Sequence, residues 1–167
     1  AVELYLQVAD IWQESLRNVT QALPHLERVL EIQPDNAPVR ERLADIYEQR
    51  RDYESLFDLK FSEAPRVAVS EREALLETLL SLAEDRLRDP ERMVQVLNQL
   101  RELRPDDAEL LGKLEFIYRR VDDFVGLADV LDGKGAVGEK GAENDEYQNT
   151  RLAALREAAR PREDRGP

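Results

Sequence analysis

Apolar residues recur at the spacing of an amphipathic helix along most of the sequence. In the first segment, Leu4, Val8 and Ile11 are three or four residues apart, which places their side chains on one face of a helix. Similar stripes follow, and the densest comprises Leu75, Leu76, Leu79, Leu80, Leu82, Ala83 and Leu87. No alternating apolar pattern is long enough for a β-strand. The pattern therefore predicts an all-α protein with eight helices between about residues 2 and 131.

Residues that favour helix N-termini recur every 17 to 19 positions. They are Asn18, Asp35, Asp52, Ser70, Asp89, Asp106 and Asp123. Their side-chain oxygens can accept a hydrogen bond from the free N–H groups of a first helical turn. We expect the cap to shift by one residue where two candidates adjoin, for instance from Asp35 to Asn36. Pro24 would interrupt a helix that begins at Asn18, so we expect that helix to begin nearer Thr20.

The sequence also repeats itself after 71 residues. Residues 4–60 align with residues 75–131 without a gap, and most matching positions are apolar, capping or turn residues. A shorter repeat lies inside this one, since Ala-Asp-Ile-Trp at 9–12 recurs as Ala-Asp-Ile-Tyr at 44–47. Periods of this length are typical of stacked helix pairs rather than of one globular core. We predict four antiparallel helix hairpins, over about residues 2–33, 36–63, 70–103 and 106–131.

The second hairpin carries a family resemblance. Its segment Leu43-Ala44-…-Tyr47-…-Asp52-Tyr53 resembles the first helix and turn of a tetratricopeptide repeat. The second-helix and terminal-proline positions of that family are occupied by Ala22, Leu26, Val29 and Pro34. This chain departs from the family pattern at Arg51, which replaces a turn glycine, and at Leu56 and Leu127, which replace alanines. The resemblance implies a right-handed α-solenoid; a half-tetratricopeptide or other helical-hairpin array is the alternative.

After residue 131 the regular spacing of apolar and capping residues ends. Residues 132–143 contain four of the seven glycines and are predicted to form a flexible linker. A helix is predicted over 144–160, and we expect it to cover the end of the last hairpin. A partner-swapped or disordered segment is the alternative for this helix. Residues 161–167 are predicted to be a disordered tail.

Composition and charge exclude several classes of function. The net charge is −12, from 36 acidic and 24 basic residues, and such a field repels nucleic acid and anionic membrane surfaces. The absence of cysteine excludes disulfides, thiolate zinc sites and cysteine nucleophiles. The single histidine, His25, is interpreted as a surface or interface residue. No nucleophile–base set, phosphate loop or metal-ligand pattern is present, so we predict a protein that is not an enzyme and needs no cofactor or metal.

Three acidic or amide motifs have a structural interpretation. The sequence Asn18-Val19-Thr20 fits the N-glycosylation pattern, but Asn18 is also a predicted helix cap. The pairs Asp106-Asp107 and Asp122-Asp123 fall on the same series of caps. We therefore predict capping rather than glycosylation or carboxylate chemistry at these positions.

The resemblance also implies a binding surface. In the tetratricopeptide family, the first helices of the hairpins line a concave face, and here the matching positions are mostly acidic. The candidate partner-binding residues are Asp10, Glu14, Glu41, Asp45, Glu48, Glu77, Glu84, Asp85, Phe116, Arg119 and Arg120. We expect a non-enzymatic scaffold that binds a basic or mixed-charge peptide or helix of a partner protein. The acidic positions argue against the clamping of a peptide carboxylate.

Two further expectations concern the wider protein. The alternative function is a structural spacer or oligomerisation segment of a longer repeat protein, which would associate with itself through its repeat ends. The chain begins at Ala1 without methionine, and no signal peptide pattern follows. We therefore expect a fragment of a longer protein, with a cytoplasmic location favoured.

Overall fold

A computed structural model describes residues 1–137 and 142–159, and these residues form nine α-helices and no strand. The all-α prediction is therefore confirmed for the described residues. The helices are α1 (Val2–Asp10), α2 (Val19–Ile32), α3 (Ala37–Arg50), α4 (Tyr53–Phe61), α5 (Val69–Leu82), α6 (Pro90–Leu103), α7 (Ala108–Arg120), α8 (Phe124–Val137) and α9 (Ala142–Ala158). A π-helical turn extends α1 over Ile11–Ser15 and α5 over Ala83–Leu87, and a 3-10 turn, Ala64–Arg66, follows α4.

The chain divides into two units, Ala1–Val67 and Ala68–Pro167. In the first unit, α1 packs against α2, α2 against α3, and α3 against α4. In the second unit, α5 to α8 pack in the same successive order, and α9 packs against α8. Each unit thus contains one copy of the 71-residue repeat.

Each unit has an apolar core of its own. The first core consists of buried residues from α1, α2 and α3, namely Ala9, Ala22, Leu26, Val29, Val39, Leu43, Ile46 and Tyr47. In the second unit the buried side chains of α5 to α7 are Leu76, Leu79, Leu80, Val96, Leu97, Leu100, Leu110, Leu111, Leu114, Ile117 and Tyr118. Much of the predicted Leu75–Leu87 stripe therefore faces inward, as hydrophobic burial requires. The predicted stripe of α1 does not, since Leu4 and Ile11 are exposed.

One buried polar contact recurs at equivalent positions of the two copies. The Tyr47 hydroxyl of α3 donates to the Glu27 carboxylate of α2 at 2.7 Å. Its equivalent 71 residues later, Tyr118, meets Asn98 of α6, whose amide donates to the tyrosine oxygen at 2.9 Å. Burial and the bond to Glu27 raise the pKa of Tyr47. The recurrence shows that the sequence repeat is also a repeat of three-dimensional contacts.

The turn inside each helix pair has one residue in the left-handed region. These residues are Arg17, Arg51, Arg88 and Asp122, with φ between 48° and 57°. Each lies directly before the residue that caps the following helix. Arg51, which replaces the glycine of the tetratricopeptide pattern, adopts the conformation that a glycine would favour.

The predicted caps are largely confirmed. Helices α2, α4, α6 and α8 are capped as expected, with Asn18, Asp52, Asp89 and Asp123 accepting from backbone N–H groups at 3.0–3.3 Å. At α3 and α7 the cap has shifted by one residue, to Asn36 and Asp107. These bonds satisfy N–H groups that the helix itself leaves free.

The prediction of a Ser70 cap is wrong. Helix α5 begins at Val69, and the carbonyl oxygen of Ala68 accepts the first helical hydrogen bonds, from Glu71 at 2.9 Å and Arg72 at 2.9 Å. Ser70 therefore lies inside the first turn. No side chain caps this helix.

The predicted late start of α2 is also wrong. Asn18 caps the helix, which begins at Val19 and includes Pro24 as its sixth residue. Proline at this position lacks the N–H that would bond to Thr20, but Thr20 is exposed and its carbonyl can be solvated.

The predicted linker is helical in its first half. Helix α8 continues to Val137, so residues 132–137 are not a linker, while residues 138–141 and the predicted tail at 160–167 lie outside the described residues. Side-chain contacts explain the extension, since Lys134 pairs with Glu115 of α7 and Asp132 pairs with Arg151 of α9 at 3.4 Å. Tertiary contacts thus override the low helix propensity of glycine.

The C-terminal helix begins at Ala142, two residues before its predicted start. Ala154 of this helix is buried, and α9 packs against α8. The packing of α9 on α8 is thus established, and that α9 covers the end of the last hairpin stays a prediction.

Candidate functional site

A groove opens in the second unit between α5, α6 and α7, and we refer to it as the α5–α7 groove. Its volume is about 440 Å³. A smaller cavity of about 120 Å³ adjoins it and shares four of its lining residues. The α5–α7 groove is lined by Leu80, Glu84, Met93, Leu97, Glu109, Gly112, Lys113, Phe116 and Ile117.

The floor of the α5–α7 groove is apolar. Leu80, Leu97 and Ile117 are buried, and Met93 is half-buried beside them. Phe116 stands at the edge with 65% of its surface exposed. A large exposed aromatic ring next to an apolar depression is the arrangement that commonly anchors a partner's side chain.

A glycine keeps the α5–α7 groove open. A Cβ atom built on Gly112 would meet nothing within 4 Å. This glycine lies in the interior of α7, where it costs about 1 kcal/mol of helix stability relative to alanine. The absence of a side chain at Gly112 leaves open space above the apolar floor.

Acidic side chains border the α5–α7 groove. Glu84 is exposed and makes no ion pair within residues 1–137 and 142–159. Lys113 is the cation of this rim, and it pairs with Glu109 at 3.3 Å. At the adjoining cavity, Glu77 pairs with Arg104. The unneutralised charge at the rim is therefore negative.

The equivalent position in the first unit is arranged differently. Arg42, which corresponds to Lys113, crosses from α3 to the end of α1, where it binds Asp10 at 2.7 Å and Gln13 at 2.6 Å. Two further sequence differences add negative charge to the first unit. Glu41 occupies the position of Gly112, and Asp45 occupies the position of Phe116. An ion-pair bridge thus spans the place where the second copy has its opening.

The predicted site residues fall into three groups. Glu77, Glu84 and Phe116 border the α5–α7 groove or its adjoining cavity, and Asp85 is an exposed neighbour of Glu84. On the first unit, α3 exposes a row of carboxylates without ion pairs in the described part of the chain, formed by Glu41, Asp45 and Glu48. The remaining predicted residues are Asp10, Glu14, Arg119 and Arg120.

These remaining residues differ in their partners. Asp10 is held by Arg42, and Arg119 pairs with Glu115 at 2.8 Å. Glu14 and Arg120 are exposed. Burial opposes the ionisation of Glu115, but hydrogen bonds from Lys134 and Arg119 outweigh it and lower the pKa of this carboxyl. Arg119 therefore has a structural partner in addition to its predicted place on the binding surface.

Sequence reasoning missed Met93, Gly112 and Lys113. Gly112 carried a usable signal, since it is an isolated glycine inside a strongly apolar helix pattern, and such a residue usually has a packing or functional reason. Met93 carried none, because a methionine at helical spacing is the same signal as an ordinary core residue.

A more polar cavity of about 500 Å³ lies between α2, α3 and α4 of the first unit. One of its lining residues is Arg40, which is buried and donates to the carbonyl oxygens of Pro34 at 2.7 Å and Leu59 at 3.2 Å and to the Ser62 hydroxyl at 3.1 Å. The arrangement ties the end of α4 to the turn before α3.

Other sequence features have structural explanations in the described residues. The ring of His25 stacks on that of Tyr5 at 6.2 Å, as expected for an interface histidine. No group of three or more potential metal ligands occurs among the described residues. None of the described helices combines the length and apolar character required to cross a bilayer.

No protein-family model matches this sequence, and no curated protein matches it either. The residues themselves therefore carry the functional inference.

Proposed function

We propose that this chain is a non-enzymatic protein-interaction module that binds a basic or mixed-charge peptide or helix through acidic helix faces. The observation that carries the proposal is the exposed row of Glu41, Asp45 and Glu48 on α3. These carboxylates are four and three residues apart and so share one face of the helix. Carboxylates without an intramolecular cation attract and orient a cationic partner.

We also propose that the repeat architecture is tetratricopeptide-like, a solenoid of helix hairpins. The recurrent left-handed turn residues and the paired contacts of Tyr47 and Tyr118 support this assignment. In such a protein each helix pair is stabilised by its neighbours, and the exposed helix faces remain available for a partner.

The proposal can be tested with a random 16-residue peptide library displayed on phage and selected on the immobilised full chain. We expect enrichment of peptides rich in Lys and Arg. Their affinity should fall about tenfold for the variant Glu41→Gln/Asp45→Asn/Glu48→Gln, because each exposed charge contact contributes up to about 1 kcal/mol.

A matched control removes the same number of charges elsewhere. Glu3, Glu54 and Glu102 are exposed and make no ion pair within the described residues. The triple Gln variant of these positions should retain the peptides. Enrichment of no peptide, or equal losses for the two variants, would contradict the proposal.

One observation favours the alternative of a self-associating spacer. Leu4 and Ile11, seven residues apart on one face of α1, are 64% and 53% exposed, and Leu16 in the following turn is 56% exposed. Light scattering coupled to size exclusion distinguishes the two functions. A dimer that dissociates in the Leu4→Gln/Ile11→Gln variant would support the spacer, whereas a monomer that selects peptides supports the interaction module.

A further inference from the structure

We infer that the α5–α7 groove binds one bulky apolar side chain of a basic partner segment, and that the equivalent position of the first unit does not. This inference rests on the proposed function, and it specifies the partner as a cationic segment with a single large apolar anchor.

The α5–α7 groove offers room and apolar contacts to a side chain of the partner. Its volume of about 440 Å³ lies near the lower end of the range found for protein ligand pockets, roughly 300–1,000 Å³. The buried Leu80, Leu97 and Ile117 offer contact to an apolar group at the floor. Met93 can adapt to different shapes because its side chain is flexible and polarisable, and Phe116 offers a ring for stacking at the edge.

The charge at the rim of the α5–α7 groove determines which residues of the partner can lie beside its apolar anchor. Two carboxylates, Glu84 and Glu109, and one ammonium group, Lys113, lie at the rim. Lys113 pairs with Glu109 at the surface, whereas Glu84 has no cation within the described residues. A Lys or Arg of the partner next to the apolar anchor would pair with Glu84, and an acidic residue there would be repelled.

The contrast between the copies locates the anchor in the second unit. In the first unit Arg42 bridges to Asp10 and Gln13, and an apolar group placed there would have to displace this bridge. In addition, Glu41 stands where Gly112 leaves open space. The two copies thus share a fold but differ at the positions of Gly112, Lys113 and Phe116, where the first unit has Glu41, Arg42 and Asp45.

The experiment uses peptides selected from the phage library against the full chain, synthesised with a fluorescent label. Fluorescence anisotropy then gives their affinity for wild type, for Gly112→Leu, which fills the α5–α7 groove, and for Gln95→Leu. Gln95 lies in α6, two residues from Met93, and is exposed. It provides a control for the addition of a leucine to an exposed helix position, and neither substitution changes the charge.

We expect the selected peptides to share one Leu, Phe, Trp or Met with a Lys or Arg beside it. Gly112→Leu should weaken binding at least tenfold, while Gln95→Leu should leave it within about twofold. Replacement of the peptide's apolar anchor by Ser should weaken binding to wild type at least tenfold and have little effect on binding to Gly112→Leu. Circular dichroism checks that both variants are folded.

The possible failures are distinguishable. Basic peptides that bind without a shared apolar residue, and equally well to Gly112→Leu, would overturn this inference but leave the proposed function standing. Selection of no peptide would overturn both. If Gly112→Leu unfolds the protein, the test is the peptide whose apolar anchor is replaced by Ser, measured with the wild-type chain. Unchanged affinity of this peptide would overturn the inference.

Discussion

At the scale of single residues, three of the four turns within the helix pairs place arginine where glycine would be less strained. Arg51 has φ 57° and is exposed, and the left-handed region costs a residue with a Cβ roughly 1–2 kcal/mol. We expect Arg51→Gly to raise the free energy of unfolding by about 1 kcal/mol, since glycine removes this cost but loses more backbone entropy. Urea denaturation monitored by circular dichroism measures the change.

The control for this prediction is Gln49→Gly, two residues earlier and also exposed. Gln49 lies in helix α3, so glycine there should lower stability by about 1 kcal/mol. Equal effects of the two substitutions would show that the turn conformation is not the cause.

We expect alanine substitution to have opposite effects on stability at two glycines of the second unit. A Cβ at Gly126 of α8 would overlap the ring of Tyr118, whereas one at Gly112 would meet nothing. Gly126→Ala should destabilise, because overpacking costs about 1–3 kcal/mol and the gain in helix propensity is about 1 kcal/mol. Gly112→Ala should raise the free energy of unfolding by about 1 kcal/mol, because alanine has the higher helix propensity. Thermal unfolding of both variants checks the prediction, and a stabilising Gly126→Ala would contradict the close contact.

The capping residues were the most predictable part of the structure. Asp, Asn and Ser signal helix starts through a local hydrogen bond, so their effect can be read from neighbouring residues alone. The prediction failed at Ser70 because α5 begins one residue earlier, at Val69, so that Ser70 lies inside the first turn and cannot cap it.

At the scale of helices, Glu115 connects α7 to the extended end of α8. Its hydrogen bonds from Lys134 and Arg119 lower the pKa of the carboxyl from the usual 4.5, against the effect of burial. A lowered pKa in the folded state stabilises the fold above the pKa of the unfolded state, and this stabilisation is lost as the pH falls through the folded-state value. Glu115→Gln should therefore destabilise at pH 7, and the difference from wild type should shrink below about pH 4.5.

Urea titrations at several pH values measure this effect. Glu109→Gln offers a comparison on the same helix, because Glu109 is 82% exposed and pairs with Lys113 only at the surface. Such pairs contribute at most about 1 kcal/mol. A Glu115→Gln variant whose destabilisation is the same at pH 3.5 and pH 7 would contradict the account.

The extent of α8 could not be predicted because its causes are not local. Glycines at 133 and 135 favour a loop, and nothing in the neighbouring sequence opposes this. The pairing of Lys134 with Glu115 and of Asp132 with Arg151 joins residues about 19 positions apart. Contacts at this separation decide the helix end only after the fold has formed.

At the scale of the whole molecule, the duplication was predictable, whereas of the groove only bordering residues such as Glu84 and Phe116 were predicted. The 71-residue repeat follows from matching positions, and both copies form the same order of helices. The acidic helix faces could also be predicted, since they lie opposite the apolar stripes. The α5–α7 groove depends instead on differences between the copies, at Gly112 and Glu41 and at Lys113 and Arg42. Their consequence appears only when side chains from three helices meet.

The most direct test of the account is amide NMR of the isotopically labelled full chain, titrated with an unlabelled peptide from the phage selection. Large shifts reveal which residues the peptide contacts. We predict the largest shifts at Gly112, Lys113 and Phe116 of α7, with smaller ones at the acidic faces. Largest shifts at the equivalent residues of α3, Glu41, Arg42 and Asp45, would contradict the account, as would shifts confined to the exposed apolar face of α1.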